Sequence, residues 1–159
     1  NFTLAQISNL ITVNCTSVVS LCAVCIPYMG KGSRLINLAS QSAFQPVPYL
    51  NLYASSKAFI RHYTRALAVE LKSTGITATA VCPGWVDTGM LTREIGGKPV
   101  HFPGLTGARR VAEKALSDAK KNKDMSVCTL YVKYMHLLAK LFPQKAVMKG
   151  WVASVKKYL

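Results

Sequence analysis

Apolar and polar residues follow one another along the chain in blocks that predict alternating helices and strands. Residues 5–29 form an uncharged, mostly apolar stretch with helical character. The short apolar runs 34–40 and 76–83 are bounded by polar, glycine or proline residues, which favours buried strands. Between them, apolar residues recur at helical spacing over 52–73, and Gly75 follows as a helix-ending residue.

The second half of the chain continues the alternation. A long loop rich in glycine and proline, 85–104, is of the kind that often covers a site. It precedes a predicted helix at 106–123, a short strand within 124–131 and two amphipathic helices around Pro143. Helices that alternate with strands supply the crossovers that parallel strands need. The pattern therefore predicts one α/β domain with a mainly parallel sheet.

Composition agrees with a folded domain and adds a strong positive charge. Of the 159 residues, 50% are hydrophobic and 16% are charged, which excludes a disordered chain. The net charge of +14 favours anionic partners such as nucleotides, nucleic acid, acyl carriers or anionic lipid. A basic face that is merely solvated is the alternative.

The five cysteines indicate a reducing compartment. Their number is odd, and all five stand among apolar neighbours. They therefore suggest neither a disulfide framework nor a metal site. We expect them to be reduced and buried, and the protein to be cytoplasmic. They are Cys15, Cys22, Cys25, Cys82 and Cys128.

The stretch 10–29 is uncharged and long enough to span a membrane. A signal-peptide core would look similar. No positive segment precedes it, and it contains Asn14, several hydroxyl residues and Pro27. We interpret it as a helix buried on all sides within the protein, which has the same hydropathy.

Candidate chemistry centres on the sequence YASSK at 53–57. Tyr53 and Lys57 stand four residues apart and so share one helix face. A neighbouring ammonium stabilises a phenolate, which suits a general acid or base. A surface helix produces the same spacing by chance, but Ser40 stands thirteen residues earlier at the carboxyl end of a predicted strand. Ligand sites of parallel sheets gather at that edge.

Three segments together resemble the short-chain dehydrogenase/reductase family. They are INLAS, FQPVPYLNLYASSKAFIRHYTRALAVEL and GITATAVCPGWVDTGM, and the similarity covers residues 8–92. The resemblance implies a Rossmann-like, doubly wound α/β fold. It also implies an NAD(P)-dependent oxidoreductase that interconverts a carbonyl and an alcohol by hydride transfer.

The resemblance assigns roles to individual residues. Tyr53 would exchange the proton, Ser40 would hold the carbonyl, and Lys57 would bind the nicotinamide ribose and lower the pKa of Tyr53. Asn14 would help to place Lys57 through ordered water. Ser42 is an alternative to Ser40, with spacing that departs by two residues. The residues expected along the cofactor, besides Tyr53 and Lys57, are Pro83, Gly84, Val86 and Thr88.

The family's glycine-rich dinucleotide turn has no counterpart in this sequence. We therefore expect residues 1–159 to be the carboxyl-terminal part of a single domain, incomplete at the N-terminus. The residue type that selects between NAD and NADP is absent as well. The segments around FQPVPY and ELKSTGITATAVCPG are similar to NADP-dependent reductases, which favours NADP over NAD.

Several partners and one other function stay open. The substrate would be a small carbonyl or alcohol, with a lipophilic one compatible, and we expect no nucleic-acid partner. The helices 6–29 and 52–73 would form a homo-oligomer, as in the family. The basic amphipathic tail 131–159 allows peripheral contact with a membrane. The alternative is a non-catalytic binding or oligomerisation module that kept the fold.

Overall fold

A three-stranded parallel sheet lies at the centre of the computed structural model, which describes residues 2–156. The order in this sheet is β1-β2-β7, with β1 at one edge. Two short pairs, β3 with β6 and β4 with β5, lie outside it. The strands are β1 Arg34–Leu38, β2 Thr77–Val81, β3 Val86–Asp87, β4 Glu94–Ile95, β5 Lys98–Pro99, β6 Thr106–Gly107 and β7 Met125–Ser126.

The helices match the predicted blocks closely. The first helical region runs from 4 to 28 and consists of α1, a π-helical segment, α2 and a final 3-10 turn. The predicted tail 131–159 is described as far as residue 156. Residues 157–159 of that tail lie outside the described residues. The helices are α1 Leu4–Ile11, the π segment Thr12–Thr16, α2 Ser17–Cys25, α3 Asn51–Glu70, α4 Ala108–Lys120, α5 Leu130–Leu141 and α6 Gln144–Val155.

Helices cover both faces of the sheet, as a doubly wound α/β fold requires. Successive strand residues point to opposite faces. Leu35 packs with Leu67 of α3 and Cys22 of α2, whereas Ile36 packs with Val111 of α4. The predicted α/β class with a parallel, Rossmann-like sheet is confirmed.

The N-terminal helix is much less buried than its composition suggests. It is long and apolar enough to cross a membrane, yet only 11% of its most apolar 18-residue stretch is buried. Cys15 and Cys22 are buried, while Leu21 and Val24 are exposed. The prediction of burial on all sides is wrong, because within residues 2–156 the helix packs through one stripe against α3 and β1 and its other side is exposed.

The cysteines are free but not uniformly buried. Cys15, Cys22 and Cys82 are buried, whereas Cys25 is exposed and Cys128 is half-buried. The prediction of burial is therefore wrong for Cys25, which lies on the outer side of α2. Between residues 2 and 156, no three His, Cys, Asp or Glu side chains cluster as a metal site.

A buried carboxylate, Asp118, ties α4 to the sheet. Its side chain accepts from Ser126 Oγ at 2.8 Å, pairs with Lys123 Nζ at 2.9 Å, and accepts from Lys114. Burial raises the pKa of this carboxyl, but the bonds from Lys114, Lys123 and Ser126 outweigh it and lower the pKa to about 2. The native state therefore holds Asp118 ionised.

A close approach joins α5 to the loop that follows β2. A Cβ on Gly84 would lie 2.6 Å from Val132 Cγ2, and Val132 is fully buried in the core. Only glycine allows α5 to come this near. The contact fixes the start of the tail against the carboxyl edge of the sheet.

We expect Asp118→Asn to destabilise the fold by about 2 kcal/mol at neutral pH, because the amide loses the ionic bonds. Since the folded pKa lies below the unfolded value, the contribution is complete above the unfolded pKa and is lost as pH falls towards 2. Urea unfolding at neutral and acidic pH measures this. Glu113→Gln, an exposed paired carboxylate on the same helix, is the control, with little change expected. Equal effects of both variants would contradict the assignment.

We expect Gly84→Ala to lower the unfolding free energy by about 1–3 kcal/mol, because its methyl group overlaps Val132. Gly89→Ala is the matched control, since nothing lies within 4 Å of its added Cβ. Thermal unfolding of both variants tests the contact. Adding Val132→Ala to Gly84→Ala should remove the overlap, so strictly additive losses would argue against it.

Candidate active site

Ser40 lies at the carboxyl edge of the sheet, two residues after β1 ends. The backbone continues the pairing beyond the strand, with Ala39 N donating to Val81 O and Gln41 N to Pro83 O, both at 2.8 Å. Ser40 is buried, and its Oγ accepts from Ser42 N at 3.2 Å. Ser42 therefore supports Ser40 through its backbone, whereas the Ser42 hydroxyl is buried and has no hydrogen-bond partner among the described residues.

Tyr53 and Lys57 occupy the first turns of α3, on the face turned toward the same edge. Lys57 Nζ donates to Leu38 O, the last residue of β1, at 3.1 Å. It also lies 5.8 Å from the centre of the Tyr53 ring. Burial lowers the pKa of Lys57, partly offset by the nearby Cys15 thiol. Tyr53 is 38% exposed, so its ring is open to an incoming ligand.

Asn14 joins this region through Ser56. Asn14 lies in the π-helical segment, a rare geometry that is frequent at functional sites. Its Nδ2 donates to Ser56 Oγ at 3.0 Å, and Ser56 Oγ donates to Tyr53 O at 2.8 Å. The neighbouring Cys15 Sγ contacts Ser56 O at 3.8 Å. Two successive hydrogen bonds thus link the first helix to the turn that carries Tyr53 and Lys57.

The predicted cofactor residues follow β2 along one loop. Pro83 is held to the strand end by its bond from Gln41, and Gly84 packs beside Gln41 and Val132. Val86 lies in β3 and pairs with Thr106 of β6. Thr88 is exposed, and its Oγ1 accepts from Met90 N at 3.4 Å. Pro83 and Gly84 therefore lie at the same edge as Ser40, while Thr88 lies farther out along the loop.

A large apolar cavity opens beside these residues. Its volume is about 870 Å³. Tyr49 and Leu50 line it immediately before α3, and Tyr53 itself does not belong to the lining. The remaining walls come from Gln45, from the loop 85–103, and from α5, Phe142 and α6.

Aromatic side chains hold the walls of the cavity together. Trp85 and Phe102 meet edge to face with centres 5.1 Å apart, which closes the ends of the loop on each other. Trp151 of α6 donates from Nε1 to Pro48 O at 2.9 Å. This bond fixes α6 over the segment that leads into α3.

Ser56 and Trp151 are the residues of this region that sequence reasoning missed. Ser56 is almost completely buried, and a serine on the inner face of a helix signals a buried hydrogen bond. Trp151 carries no sequence signal for its partner, because Pro48 stands 103 residues away. Ser40 lies just beyond β1, Asn14 lies in the first helix, and Tyr53 and Lys57 lie in the first turns of α3. The catalytic and binding roles assigned to these four residues remain predictions.

Two relatives by sequence are a ketoacyl reductase and a very-long-chain 3-oxoacyl-CoA reductase. Ketoacyl reductase HetN of Nostoc sp. is 31% identical over 129 residues, covering 80% of this chain and 45% of that protein. Very-long-chain 3-oxoacyl-CoA reductase-B of Danio rerio is 40% identical over 84 residues, covering 52% of this chain and 27% of that protein. The chain thus spans less than half the length of both relatives.

Solved structures share the fold. A short-chain dehydrogenase from Sphingobium yanoikuyae in complex with NADPH has a TM-score of 0.70 at 23% identity, covering 99% of this chain and 59% of that one. Another from Burkholderia cenocepacia, in complex with NADP, has a TM-score of 0.65 at 26% identity, covering 79% and 55%.

The sequence profile described as short chain dehydrogenase matches residues 1–97, more than half of the 159 residues. The match includes the segments that carry Asn14, Ser40, Tyr53 and Lys57. The chain belongs to the short chain dehydrogenase family.

Proposed function

We propose that the protein is an NADP-dependent oxidoreductase that interconverts a carbonyl and an alcohol, with Tyr53 as the general acid and base. The observation that carries this proposal is the arrangement at the sheet edge. Lys57 reaches from α3 to the carbonyl oxygen that ends β1, and Tyr53 lies beside Lys57 on the same helix face. Ser40 lies two residues beyond the end of this strand.

The residues present suit a nicotinamide nucleotide. An ammonium carries three protons. Lys57 directs one of them to Leu38 O, which leaves donors for the hydroxyl groups of a ribose. Pro83 and Gly84 line the same edge as a backbone surface. When bound, the nicotinamide supplies or accepts the hydride. The relative of 26% identity in complex with NADP supports NADP over NAD.

Proton transfer would pass between Tyr53 Oη and the substrate oxygen. In reduction, Tyr53 donates its proton as negative charge develops on that oxygen, and in oxidation it accepts the proton. Ser40 Oγ already accepts from Ser42 N, so its own proton is free to bond the same substrate oxygen. Lys57 places positive charge beside the ring and stabilises the phenolate left behind.

The cavity favours a substrate with a bulky apolar part. Pockets that enclose such ligands are mostly apolar, with few polar groups to orient the reacting end. Here the lining from the loop, α5 and α6 is rich in aromatic and aliphatic side chains. The similarity to a ketoacyl reductase and to an oxoacyl-CoA reductase supports a fatty acyl carbonyl as substrate.

A non-catalytic module is the second candidate. It is supported by β1, which has β2 as its one partner in the described sheet and so presents a strand edge for pairing. Exposed apolar residues on the helices 6–29 and 52–73 suit assembly of a homo-oligomer. They include Leu21, Val24, Phe59 and Val69.

We expect Tyr53→Phe to reduce turnover by at least about a hundredfold, because the phenyl ring keeps the packing and loses the proton. The measurement is NADPH consumption with an apolar ketone or 3-oxoacyl substrate, with NADPH binding followed by fluorescence. Tyr28→Phe is the matched control, since Tyr28 is fully on the surface.

Unchanged turnover in Tyr53→Phe would refute the role of Tyr53. NADPH binding without turnover in the unaltered full-length protein would favour the non-catalytic module instead.

We expect Asn14→Ala and Ser56→Ala each to lower kcat about tenfold with little change in KM, because they loosen the turn that carries Tyr53 and Lys57. Since both remove the same hydrogen bond, the double variant should lose little more than either single variant. The pH dependence of kcat should also shift, which a loss of stability alone would not cause. Independent losses that multiply would show that the two residues do not act together.

A further inference from the structure

Helix α5 carries a row of large apolar side chains that face solvent. Leu130, Tyr134, Leu137 and Leu141 are 82%, 57%, 50% and 68% exposed. They are spaced by four, three and four residues, so they form one straight stripe about 17 Å long. We call these four residues the α5 stripe.

The packing of residues 2–156 leaves the α5 stripe uncovered. The opposite sides of the helix already serve the protein, since Val132 is fully buried in the core. Tyr131, Met135 and Leu138 line the apolar cavity. A stripe of exposed large apolar residues on a helix that needs none of them for packing marks an interaction surface.

The charge around the α5 stripe selects the kind of partner. Lys133 and Lys140 each precede a stripe residue by one position and so flank it on one side. From residue 125 to the end, the sequence contains six lysines and no aspartate or glutamate. Two copies meeting through this face would bring like charges together, which costs free energy. An anionic partner would gain instead.

We propose that the α5 stripe docks the protein on the surface of an anionic lipid bilayer. An interfacial helix buries its apolar side among the acyl chains, while lysine stems extend to the headgroups. Tyr134 has the amphipathic ring that suits this depth. An acidic protein would satisfy the lysines equally, but four adjacent apolar side chains match a fluid apolar layer without requiring a shaped groove.

Docking would also place the cavity next to the membrane. Phe142 follows the stripe directly, lines the cavity and is half exposed, so it joins the two surfaces. An apolar substrate dissolved in the bilayer would then enter without crossing water. This consequence rests on the proposed function, whereas docking itself does not.

Vesicle co-sedimentation of the full-length protein tests the docking separately from turnover. The probes are phosphatidylcholine vesicles with and without phosphatidylserine, at low and high salt. We expect binding to the anionic vesicles that weakens with salt. The pair Leu137→Glu with Leu141→Glu, and the pair Lys133→Gln with Lys140→Gln, should each weaken it about tenfold or more.

A control variant isolates the stripe. Leu116→Glu places the same new charge on an exposed leucine of α4 and should bind vesicles as the unaltered protein does. The lysine variants keep the test decisive if the glutamate pair fails to fold, which circular dichroism shows.

Three outcomes would overturn the proposal. The first is no binding to anionic vesicles. The second is binding that survives both pairs of substitutions, which would place the contact elsewhere, such as on the helix 4–28. The third is the absence of vesicle binding together with stripe-dependent binding to polyglutamate or to a second copy of the chain, measured by sedimentation velocity.

Discussion

The parallel pairing of β1 with β2 is the interaction on which the candidate site depends. Its register, from Arg34 opposite Thr77 to Leu38 opposite Val81, continues past the strands through two further backbone bonds. The continuation places Ser40 beside the loop that begins at Pro83. Because a crossover helix must start at the edge where its strand ends, α3 presents its first turns to the same place. A slip in this register would separate the hydroxyl from the phenol and the ammonium.

A second constraint comes from the N-terminal helix. Its π-helical segment widens the helix around Asn14, which places the amide within reach of Ser56. Ser56 passes the bond to the carbonyl of Tyr53, so the first turn of α3 is held from outside the sheet. This explains the half-buried amide in a mostly apolar helix, because a buried polar group needs a partner and Asn14 finds one beside the candidate site.

Much of the fold follows from sequence because the local signals agree with the tertiary structure. Apolar runs bounded by glycine and proline became β1 and β2, and Gly75 adopts the left-handed conformation, with a φ of 75°, that ends the helical region after α3. Burial was harder to predict. Phe59 and Val69 contribute to the helical pattern of α3 yet are exposed, whereas Thr64 is fully buried and accepts from Asn37. Hydropathy shows whether a side chain can be buried. Which side of a helix is covered depends on how the helix packs in the tertiary structure.

The candidate site shows the same difference between local features and contacts made by distant segments. Ser40, Tyr53 and Lys57 could be singled out as candidates from the sequence because a strand end, a helix start and residue spacing are local features. The cavity was not, because it is closed by contacts between distant segments, such as Trp151 with Pro48.

The tail connects the site to the surface through its first helix. At Gly84 the absence of a side chain lets α5 approach the strand-end loop, and this contact sets which side of the helix faces inward. Once Val132 enters the core and Met135 faces the cavity, helical periodicity leaves Leu130, Leu137 and Leu141 on the outside. The outer surface of α5 is therefore a consequence of how the site is closed. Any ligand that alters the cavity wall would act on the same helix that carries the exposed apolar row.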